Sequence, residues 1–304
     1  MLEIGLSAAR AVSFQRGERM KFLAALAQIG PTLGNVEANF RIFERSVRQA
    51  ERKGAELLVF PELSLTGYML QDIAADVALA PDGEDPIFRR LLAASRSIDV
   101  VVSFVERDHR QRHFISAAYL SGGATVHLHR KVYLPTYGLF HDSRFFDHGD
   151  QVRAFDTRFG RFGILICEDF WHVSPPYLLW LDGAEVLLLV SASPGRGLSD
   201  DGRLDSARRV ENITQTYAGL FTVFVAHTNR VGFEDGLCYW GGASVIGPDG
   251  KRLAQGPDFE EALVLAQVDP DRIRRARLAL PLLRDEQPDL LQRELTRLLR
   301  EVPR

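Results

Sequence analysis

The sequence predicts an α/β fold in which mixed β-sheets are covered by helices. The first observation is that apolar runs of strand length alternate with helical periodicity in both halves of the chain. The second is that strand-like runs in the middle and near the C-terminus are joined by short turns, which are typical of antiparallel pairs. Sheets that combine parallel and antiparallel strands satisfy both observations.

A strand–helix–strand unit is predicted at the start. MKFLAALAQIGP, which begins at Met20, predicts the first strand, and AELLVF predicts a strand buried on both faces because it is continuously apolar. A helix is predicted to begin after Asn35, a good N-cap residue, and to end near Gly54. Its apolar positions recur at intervals of four and three residues: Val36, Phe40, Phe43, Val47 and Ala50.

The middle of the chain is predicted to contain more strands. Three successive strands are IDVVVSFVER, HFISAAYLSG and ATVHLHRK, and Gly122-Gly123 predicts a hairpin between the last two. VRAFDTRFGRFGILI predicts a further pair, which ends at Cys167. The strand–helix–strand order then returns with a helix from about Pro176, the strand AEVLLLV, a helix over LDSARRVENITQTYAG and the strand LFTVFVAHTN.

The last part of the chain is predicted to end in strands and an amphipathic helix. YWGGASVIGPDGKRLAQ predicts two strands around a Pro248-Asp249-Gly250 turn, and EALVLAQVD predicts a last strand. Residues 288 to 300 predict a helix with an apolar face formed by Leu290, Leu291, Leu295, Leu298 and Leu299. Such a face predicts association into a homodimer or a higher homo-oligomer.

Composition and charge narrow the classes of function. The 304 residues have a net charge of −3, which favours neither a nucleic acid nor an anionic membrane as partner. No apolar run approaches the roughly 20 residues that span a bilayer, and the N-terminus lacks the apolar core of a secretory signal. We therefore expect a cytoplasmic protein.

Cysteine and histidine patterns predict neither a disulfide framework nor a metal site. Cys167 and Cys238 are the only cysteines, and neither lies in a CxxC pair. His127 and His129 share one face of a predicted strand, but no third ligand follows at a recognisable spacing. We expect no metal and no cofactor.

Three reactive side chains each follow a predicted strand. Glu62 comes after LLVFP, Lys131 after TVHLHR and Cys167 after GILI. Because ligands bind beyond the carboxyl ends of strands in open α/β sheets, these residues are candidates for one site. A thiolate attacks a carbonyl or nitrile carbon, a carboxylate takes the thiol proton, and an ammonium stabilises developing negative charge. The three residue types therefore predict nucleophilic catalysis.

Three blocks of sequence resemble the nitrilase, or carbon–nitrogen hydrolase, superfamily. FPELSLTGY, HRKVYLPTYGLFHDSRFF and ICEDFW occur in its order and approximate spacing, and the resemblance covers about residues 21 to 270. It looks closest to the glutamine amidohydrolase domain of glutamine-dependent NAD synthetases and their stand-alone amidase relatives. It implies an αββα sandwich of two mixed sheets, with Glu62 as general base, Lys131 stabilising the tetrahedral intermediate and Cys167 as nucleophile.

The resemblance also implies supporting and substrate-binding residues. The backbone amide of Glu168 is available as an oxyanion donor. Asp142, in FHDSRFF, stands where the related synthetases carry a glutamate in F-D-E-x-R-Y-F, and its carboxylate is one methylene shorter. Tyr137, in LPTYG, falls where those relatives use a tyrosine near bound glutamine.

One departure from the resemblance concerns the substrate. In the glutamine-using relatives a segment like SASP is followed by a G-K step, whose lysine would suit the α-carboxylate of glutamine. SASPGRGLSD has no lysine, although Ser193 matches the serine and Arg196 could hold a carboxylate bidentately. We therefore expect glutamine to be hydrolysed poorly compared with an uncharged amide, unless Arg196 replaces the lysine.

The resemblance implies a cofactor-free thiol amidase that releases ammonia through an acyl-enzyme on a cysteine. A nitrilase or an N-carbamoyl hydrolase could use the same trio, so the expected substrate is a small amide, nitrile or carbamoyl compound. The same fold could also serve as a glutaminase subunit that supplies ammonia to a separate synthetase, or as a non-catalytic binding protein.

We divide the chain into a poorly ordered extension over residues 1–19, a nitrilase-like hydrolase domain over residues 20–280, and a helical tail over residues 281–304 used in packing or oligomerisation.

Overall fold

The computed structural model of the protein describes residues 20–301. In chain order its strands are β1 (Phe22–Gln28), β2 (Leu57–Val59), β3 (Asp99–Arg107), β4 (His113–Ser121), β5 (Ala124–Arg130), β6 (Phe155–Thr157), β7 (Gly160–Ile166), β8 (Val186–Ser191), β9 (Phe224–Asn229), β10 (Val231–Glu234), β11 (Leu237–Trp240), β12 (Ser244–Ile246), β13 (Arg252–Gln255) and β14 (Ala262–Val268). Its α-helices are α1 (Val36–Arg52), α2 (Pro86–Ala94), α3 (Asp142–Phe145), α4 (Ser174–Leu181), α5 (Asp205–Phe221), α6 (Pro270–Ala279), α7 (Leu282–Asp285) and α8 (Pro288–Glu301).

Most of these strands form two mixed sheets of six strands each. The first sheet has the order β14-β1-β2-β3-β4-β5, and the second has the order β13-β12-β9-β8-β7-β6. Three neighbouring strands are parallel in each sheet, namely β1, β2 and β3 in the first and β7, β8 and β9 in the second. The outer strands pair antiparallel. The predicted mixed architecture is confirmed.

The two sheets pack face to face through one apolar core. Leu26 and Val59 of the first sheet belong to the same buried cluster as Leu188 of the second. At one end of this core the rings of Phe22 and Phe159 stack with their centroids 4.2 Å apart. This inner core supplies the main apolar surface that joins the sheets.

Helices cover the outer face of each sheet. Phe43 of α1 and Phe88 of α2 pack in one cluster with Leu58 of the first sheet. Trp180 of α4 and Phe221 of α5 are buried against the second sheet in another cluster. The layers therefore follow the order helix, sheet, sheet, helix, which is the αββα sandwich. Every residue of β2 is buried, as its continuously apolar sequence predicted.

The predicted and observed elements differ in several places. Helices α2 and α3 and strand β10 were not predicted, and α4 begins at Ser174 rather than about Pro176. The helix α5 continues to Phe221 and is ended by the left-handed Thr222, so β9 begins at Phe224 and not within LFT. The run from Tyr239 is not one strand, because Gly241 and Gly242 have φ angles of +77° and +63° and turn the chain between β11 and β12.

The C-terminal helices continue from the sandwich. Leu282 and Leu283 of α7 pack against the cluster beneath α4 and α5, whereas no residue of α8 is buried. On α8, Leu290, Leu295, Leu298 and Leu299 are between 43% and 62% exposed. The predicted amphipathic helix is thus present, with its apolar face exposed to solvent.

No helix within residues 20–301 is both long and apolar enough to cross a membrane. The expectation that residues 1–19 form a poorly ordered extension lies outside the described residues.

Candidate active site

The carboxyl ends of three strands bring the predicted reactive residues together. Lys131 directly follows β5, and its Nζ donates to Glu62 Oε1 at 2.7 Å and to Asp142 Oδ2 at 2.8 Å. Glu62 follows β2, and Cys167 directly follows β7 of the other sheet. The side chains of Glu62 and Lys131 are fully buried, and that of Asp142 is nearly so.

Glu62 also connects the two sheets. While its Oε1 binds Lys131 of the first sheet, its Oε2 accepts a hydrogen bond of 2.8 Å from the backbone amide of Ala192, which follows β8 of the second sheet. The carboxylate therefore has a fixed position only when both sheets are packed together.

Asp142 is held by a residue that the sequence did not single out. Its Oδ1 accepts a 2.7 Å hydrogen bond from the hydroxyl of Tyr68, while its Oδ2 binds Lys131. Tyr68 closes the block FPELSLTGY, so its place in that block was the available signal. The shorter aspartate therefore reaches the lysine, and the tyrosine occupies its second oxygen.

Cys167 adopts a backbone conformation that is unusual for a residue with a side chain. Its φ is +46°, in the left-handed region, and it begins a buried 3₁₀ turn over Cys167–Trp171. A non-glycine residue in this region carries strain that the surrounding structure must support. The sharp change from strand to turn places the cysteine where the strand stops pairing.

Asp169 supplies much of that support. Its carboxylate is fully buried and accepts hydrogen bonds of 2.9 to 3.0 Å from the backbone amides of Ile166, Val132 and Tyr133. It also lies 2.9 Å from Nε2 of His129. One carboxylate thus ties the cysteine turn to the segment that follows Lys131.

The buried charges shift the pKa values of the site. Burial raises the pKa of Glu62, although the charge of Lys131 opposes this shift. Burial alone would lower the pKa of Lys131, but the carboxylates of Asp142 and Glu62 outweigh it and raise that pKa well above the ordinary lysine value. Burial and the charge of Glu62 raise the pKa of Cys167 well above that of a free thiol. The resting site therefore contains an ammonium and a neutral thiol.

A cavity of 460 Å³ reaches Cys167. All the predicted substrate-binding residues line it, namely Tyr137, Ser193 and Arg196, together with Glu168. The hydroxyl of Tyr137 lies 3.1 Å from each carboxylate oxygen of Glu168 and donates to that group. Burial and the charge of Glu168 raise the pKa of Tyr137 to about 12, so the hydroxyl keeps its proton at neutral pH.

The cavity also has lining residues that the sequence analysis missed. Trp171 borders it, as do Ser206, Arg209 and Val210 of α5. Arg209 and Val210 lie three and four residues after Ser206, so the three residues are expected to share one face of the helix. That this face borders a cavity depends on how α5 packs, for which the sequence has no local signal.

The remaining candidates do not line this cavity. His127 stacks on Phe155 with ring centroids 4.2 Å apart, and His129 pairs with Asp169. Within residues 20–301 no cluster of three or more His, Cys, Asp or Glu side chains is placed to hold a metal ion. Cys238 is half-buried in β11, and its carbonyl accepts a hydrogen bond from the amide of Gly195.

Comparison with known proteins identifies the family and agrees with the fold. Residues 23–278 match the family described as "Carbon-nitrogen hydrolase". The chain therefore belongs to that family.

Two groups of curated relatives are similar over most of the chain. It is 31% identical over 255 residues to the glutamine-dependent NAD(+) synthetase of Acinetobacter baylyi. The matched region covers 83% of this chain and 45% of that protein. It therefore spans less than half of that relative. It is also 31% identical over 276 residues to the N-carbamoylputrescine amidase of Solanum lycopersicum. In this case the matched region covers 86% of this chain and 91% of that protein.

A solved structure confirms the fold. The carbon–nitrogen hydrolase of Helicobacter pylori G27 superposes with a TM-score of 0.82 at 23% identity, covering 91% of this chain and 99% of the other. The family match over residues 23–278, rather than this likeness of fold, confirms the sequence-based resemblance to the nitrilase, or carbon–nitrogen hydrolase, superfamily.

We predict that Asp169→Ala is strongly destabilising. The substitution leaves three backbone amides and His129 without their buried acceptor, and breaking a buried pair of this kind costs about 3–5 kcal/mol. Urea unfolding followed by circular dichroism measures the free energy of unfolding. Asp271→Ala, at an exposed position on α6, is the control and is expected to change it by about 0.5 kcal/mol or less. Equal effects of the two substitutions would contradict the role of Asp169.

Proposed function

We propose that the protein hydrolyses the carbon–nitrogen bond of a small amide through a thioester on Cys167. The observation that carries this proposal is the buried Lys131 ammonium, bonded to two carboxylates beside a cysteine that borders a cavity. Membership of the carbon–nitrogen hydrolase family and similarity to a protein named as an amidase support it.

The first step is attack of the Cys167 sulfur on the amide carbonyl carbon. Because burial raises the pKa of the thiol, the thiolate is not populated beforehand, and the proton passes to Glu62 as the sulfur–carbon bond forms. Burial also raises the pKa of Glu62, which makes its carboxylate a stronger base.

The tetrahedral oxyanion is stabilised by Lys131 and by the backbone amide of Glu168. An ammonium has three N–H donors, and two of those on Lys131 go to Glu62 and Asp142, which leaves the third for the oxyanion. As the intermediate collapses, Glu62 returns its proton to the nitrogen and ammonia leaves. Water then attacks the thioester with Glu62 as base, which releases the carboxylic acid and restores the thiol.

Related reactions could proceed on the same residues. The similarity to N-carbamoylputrescine amidase favours hydrolysis of an N-carbamoyl compound, and a nitrile could enter the same thioester pathway. A glutaminase that supplies ammonia to a synthetase is favoured by the similarity to NAD synthetases, of which the chain covers less than half. The intact Glu62, Lys131 and Cys167 disfavour a binding protein without turnover.

The proposed function is tested with a panel of amides, nitriles and N-carbamoyl compounds. Ammonia release measures turnover, and intact mass spectrometry after rapid acid quenching detects the acyl group on the protein. Amide turnover with a mass increase equal to the acyl group is the expected result. Turnover confined to nitriles or to N-carbamoyl compounds would replace the amidase assignment.

Cys167→Ser is predicted to lower ammonia release by about a thousandfold or more, because the residue supplies both the nucleophile and the site of the acyl group. Cys238→Ser is the matched control, since Cys238 does not line the cavity, and it is expected to keep most of the activity. Steady-state kinetics and urea unfolding of both variants separate a chemical effect from loss of the fold. Similar losses of activity in the two folded variants would exclude Cys167 as nucleophile.

The pH dependence of kcat/KM tests Glu62 as the base. Activity is expected to fall as the pH decreases through the raised pKa of Glu62, because a protonated carboxyl cannot accept the thiol proton. The charge of Asp142 contributes to that raised pKa, so Asp142→Asn is predicted to move the acid limb to lower pH while decreasing the maximum. Asp271→Asn is the control and is expected to leave the acid limb of the kcat/KM profile at the same pH. An acid limb that stays unchanged or moves upward in Asp142→Asn would contradict Glu62 as the titrating base.

We also propose that the protein forms a homodimer or a higher homo-oligomer through α8. Its exposed leucines would lose contact with water in such an assembly. Light scattering at micromolar concentration is expected to show the assembly, and the double substitution Leu295→Glu, Leu298→Glu is expected to reduce its mass to that of the monomer. Arg293→Glu, on the opposite side of the helix, is the control. A monomeric parent protein would refute the proposal.

A further inference from the structure

One buried ion pair takes no part in the mechanism proposed above. Arg230 directly follows β9, and Glu234 ends β10. Nη1 of Arg230 donates to Oε2 of Glu234 at 2.6 Å, and the two side chains are only 1% and 3% exposed. Because a buried ion pair adds little to stability compared with apolar side chains of the same size, such a pair is a candidate for positioning other groups.

Glu234 holds the main chain of a turn that follows β2. Its Oε1 accepts hydrogen bonds of 2.8 Å from the backbone amides of both Tyr68 and Met69. The turn lies so close to the carboxylate that a Cβ atom at Gly67, whose φ is +77°, would come within 2.7 Å of Glu234 Oε2. One oxygen of the carboxylate is therefore bonded to Arg230 and the other to the turn, which fixes the backbone of the turn.

Tyr68 connects this turn to Lys131. Its hydroxyl donates to Asp142 Oδ1 at 2.7 Å, and Oδ2 of Asp142 accepts from Lys131 at 2.8 Å. The ring of Tyr68 packs edge to face against that of Tyr239, with the centroids 6.5 Å apart. A continuous chain of contacts therefore joins Glu234 to Lys131 through the backbone and then the hydroxyl of Tyr68, and none of its members is more than 6% exposed.

Arg230 anchors Glu234 to the rest of the fold. Its Nη2 donates to the carbonyl of Pro31 at 3.3 Å, and its guanidinium carbon lies 4.2 Å from the ring centroid of Tyr239. Pro31 comes after β1 of the first sheet, whereas Arg230 follows β9 of the second. The position of the Glu234 carboxylate therefore depends on both sheets.

The direction of the Lys131 ammonium decides whether it can stabilise the oxyanion. Its bonds to Glu62 and Asp142 determine where the third N–H points. The Asp142 carboxylate could rotate about its side-chain bonds if only one oxygen were bonded, and the Tyr68 hydroxyl holds the other. Because the third N–H acts on charge that develops in the transition state, a wrong direction lowers kcat more than it raises KM.

We propose that Glu234 is a positioning residue for this reaction. By holding the turn that carries Tyr68, it keeps the Lys131 ammonium directed at the tetrahedral oxyanion. Asp142 transmits this effect, because it is bonded to both Tyr68 and Lys131. Glu234 does not line the cavity that reaches Cys167, so it acts without touching the substrate. The proposal rests on the amide hydrolysis proposed above.

Substitution of Glu234 is tested by steady-state kinetics and urea unfolding. Glu234→Gln leaves either Arg230 or the turn without a carboxylate oxygen, and it is expected to lower kcat by about tenfold while KM stays within about twofold. Should this variant not fold, Glu234→Asp replaces it, because it keeps the charge beside Arg230 and withdraws the carboxylate by one methylene. A parent-like kcat in the folded variant, or failure of both variants to fold, would overturn the proposal.

Asp108→Asn is the matched control. Like Glu234, Asp108 holds two backbone amides and an arginine: it accepts from the amides of Arg110 and Arg112 at 2.8 and 2.9 Å and from Nε of Arg112 at 2.9 Å. These contacts lie in the loop between β3 and β4. The control is expected to keep kcat within about twofold of the parent even if its free energy of unfolding falls. An equal loss of kcat in the control would attribute the effect to stability and refute positioning.

A double-mutant cycle with Tyr68→Phe tests the route of the effect. Tyr68→Phe removes the hydroxyl that holds Asp142 and is expected to lower kcat by about tenfold. If Glu234 acts through that hydroxyl, adding Glu234→Gln to Tyr68→Phe lowers kcat by no more than about twofold further. Losses that multiply to about a hundredfold would show that Glu234 acts independently of Tyr68 and overturn the proposal.

An aldehyde makes the test independent of turnover. When butanal adds to Cys167, the sulfur–carbon bond forms, the carbonyl π pair moves to oxygen and the thiol proton passes to Glu62, so a tetrahedral oxyanion forms without a leaving group. Titration calorimetry is expected to give a Kd for butanal that Glu234→Gln raises by about tenfold and Asp108→Asn leaves within about twofold.

The aldehyde separates the positioning role from the proposed function. If no amide is hydrolysed but butanal binding depends on Glu234 in this way, the proposed function fails and the positioning role stands. If butanal does not bind the parent protein, or binds the Glu234→Gln protein equally well, the positioning role is refuted whatever the enzyme hydrolyses.

Discussion

A buried ammonium held between two carboxylates is the interaction on which the site depends. Lys131 is fully buried, and a charge in that position costs several kcal/mol unless it is paired and hydrogen-bonded. Glu62 and Asp142 meet that requirement at 2.7 and 2.8 Å. Because Glu62 also accepts the amide of Ala192 beyond the second sheet, the ion cluster and the packing of the two sheets stabilise each other.

The same burial explains the proposed chemistry of the cysteine. An isolated buried thiol is a poor nucleophile, and the negative charge of Glu62 raises the pKa of Cys167 further. A carboxylate that disfavours the resting thiolate is also a base strong enough to take the proton during attack. The strained turn at Cys167 is maintained by Asp169, whose contacts join that turn to His129 and to the segment after Lys131.

The buried ion cluster and the wall of the cavity come from different parts of the fold. The reactive groups lie at strand ends and are buried, so their positions follow from the sheets. The cavity wall comes from the loop after β8 and from one face of α5, where Arg196 and Arg209 are exposed at the rim. Chains of this family can therefore share the central cluster and differ in the wall, because exposed loops and helix faces change at little cost to the core.

The sequence by itself determined most of the strands and helices, and it showed that Glu62, Lys131 and Cys167 each follow a strand, because periodicity and strand ends are local features that neighbouring residues encode. The tertiary structure alone decided the partners of those residues. Tyr68 is hydrogen-bonded to Asp142, 74 residues later in the chain, and His129 to Asp169, 40 residues later. No local sequence pattern predicts such contacts. The same limit applies to Arg209: its helix was predictable, but which face of α5 borders the cavity depends on how the helix packs against the second sheet.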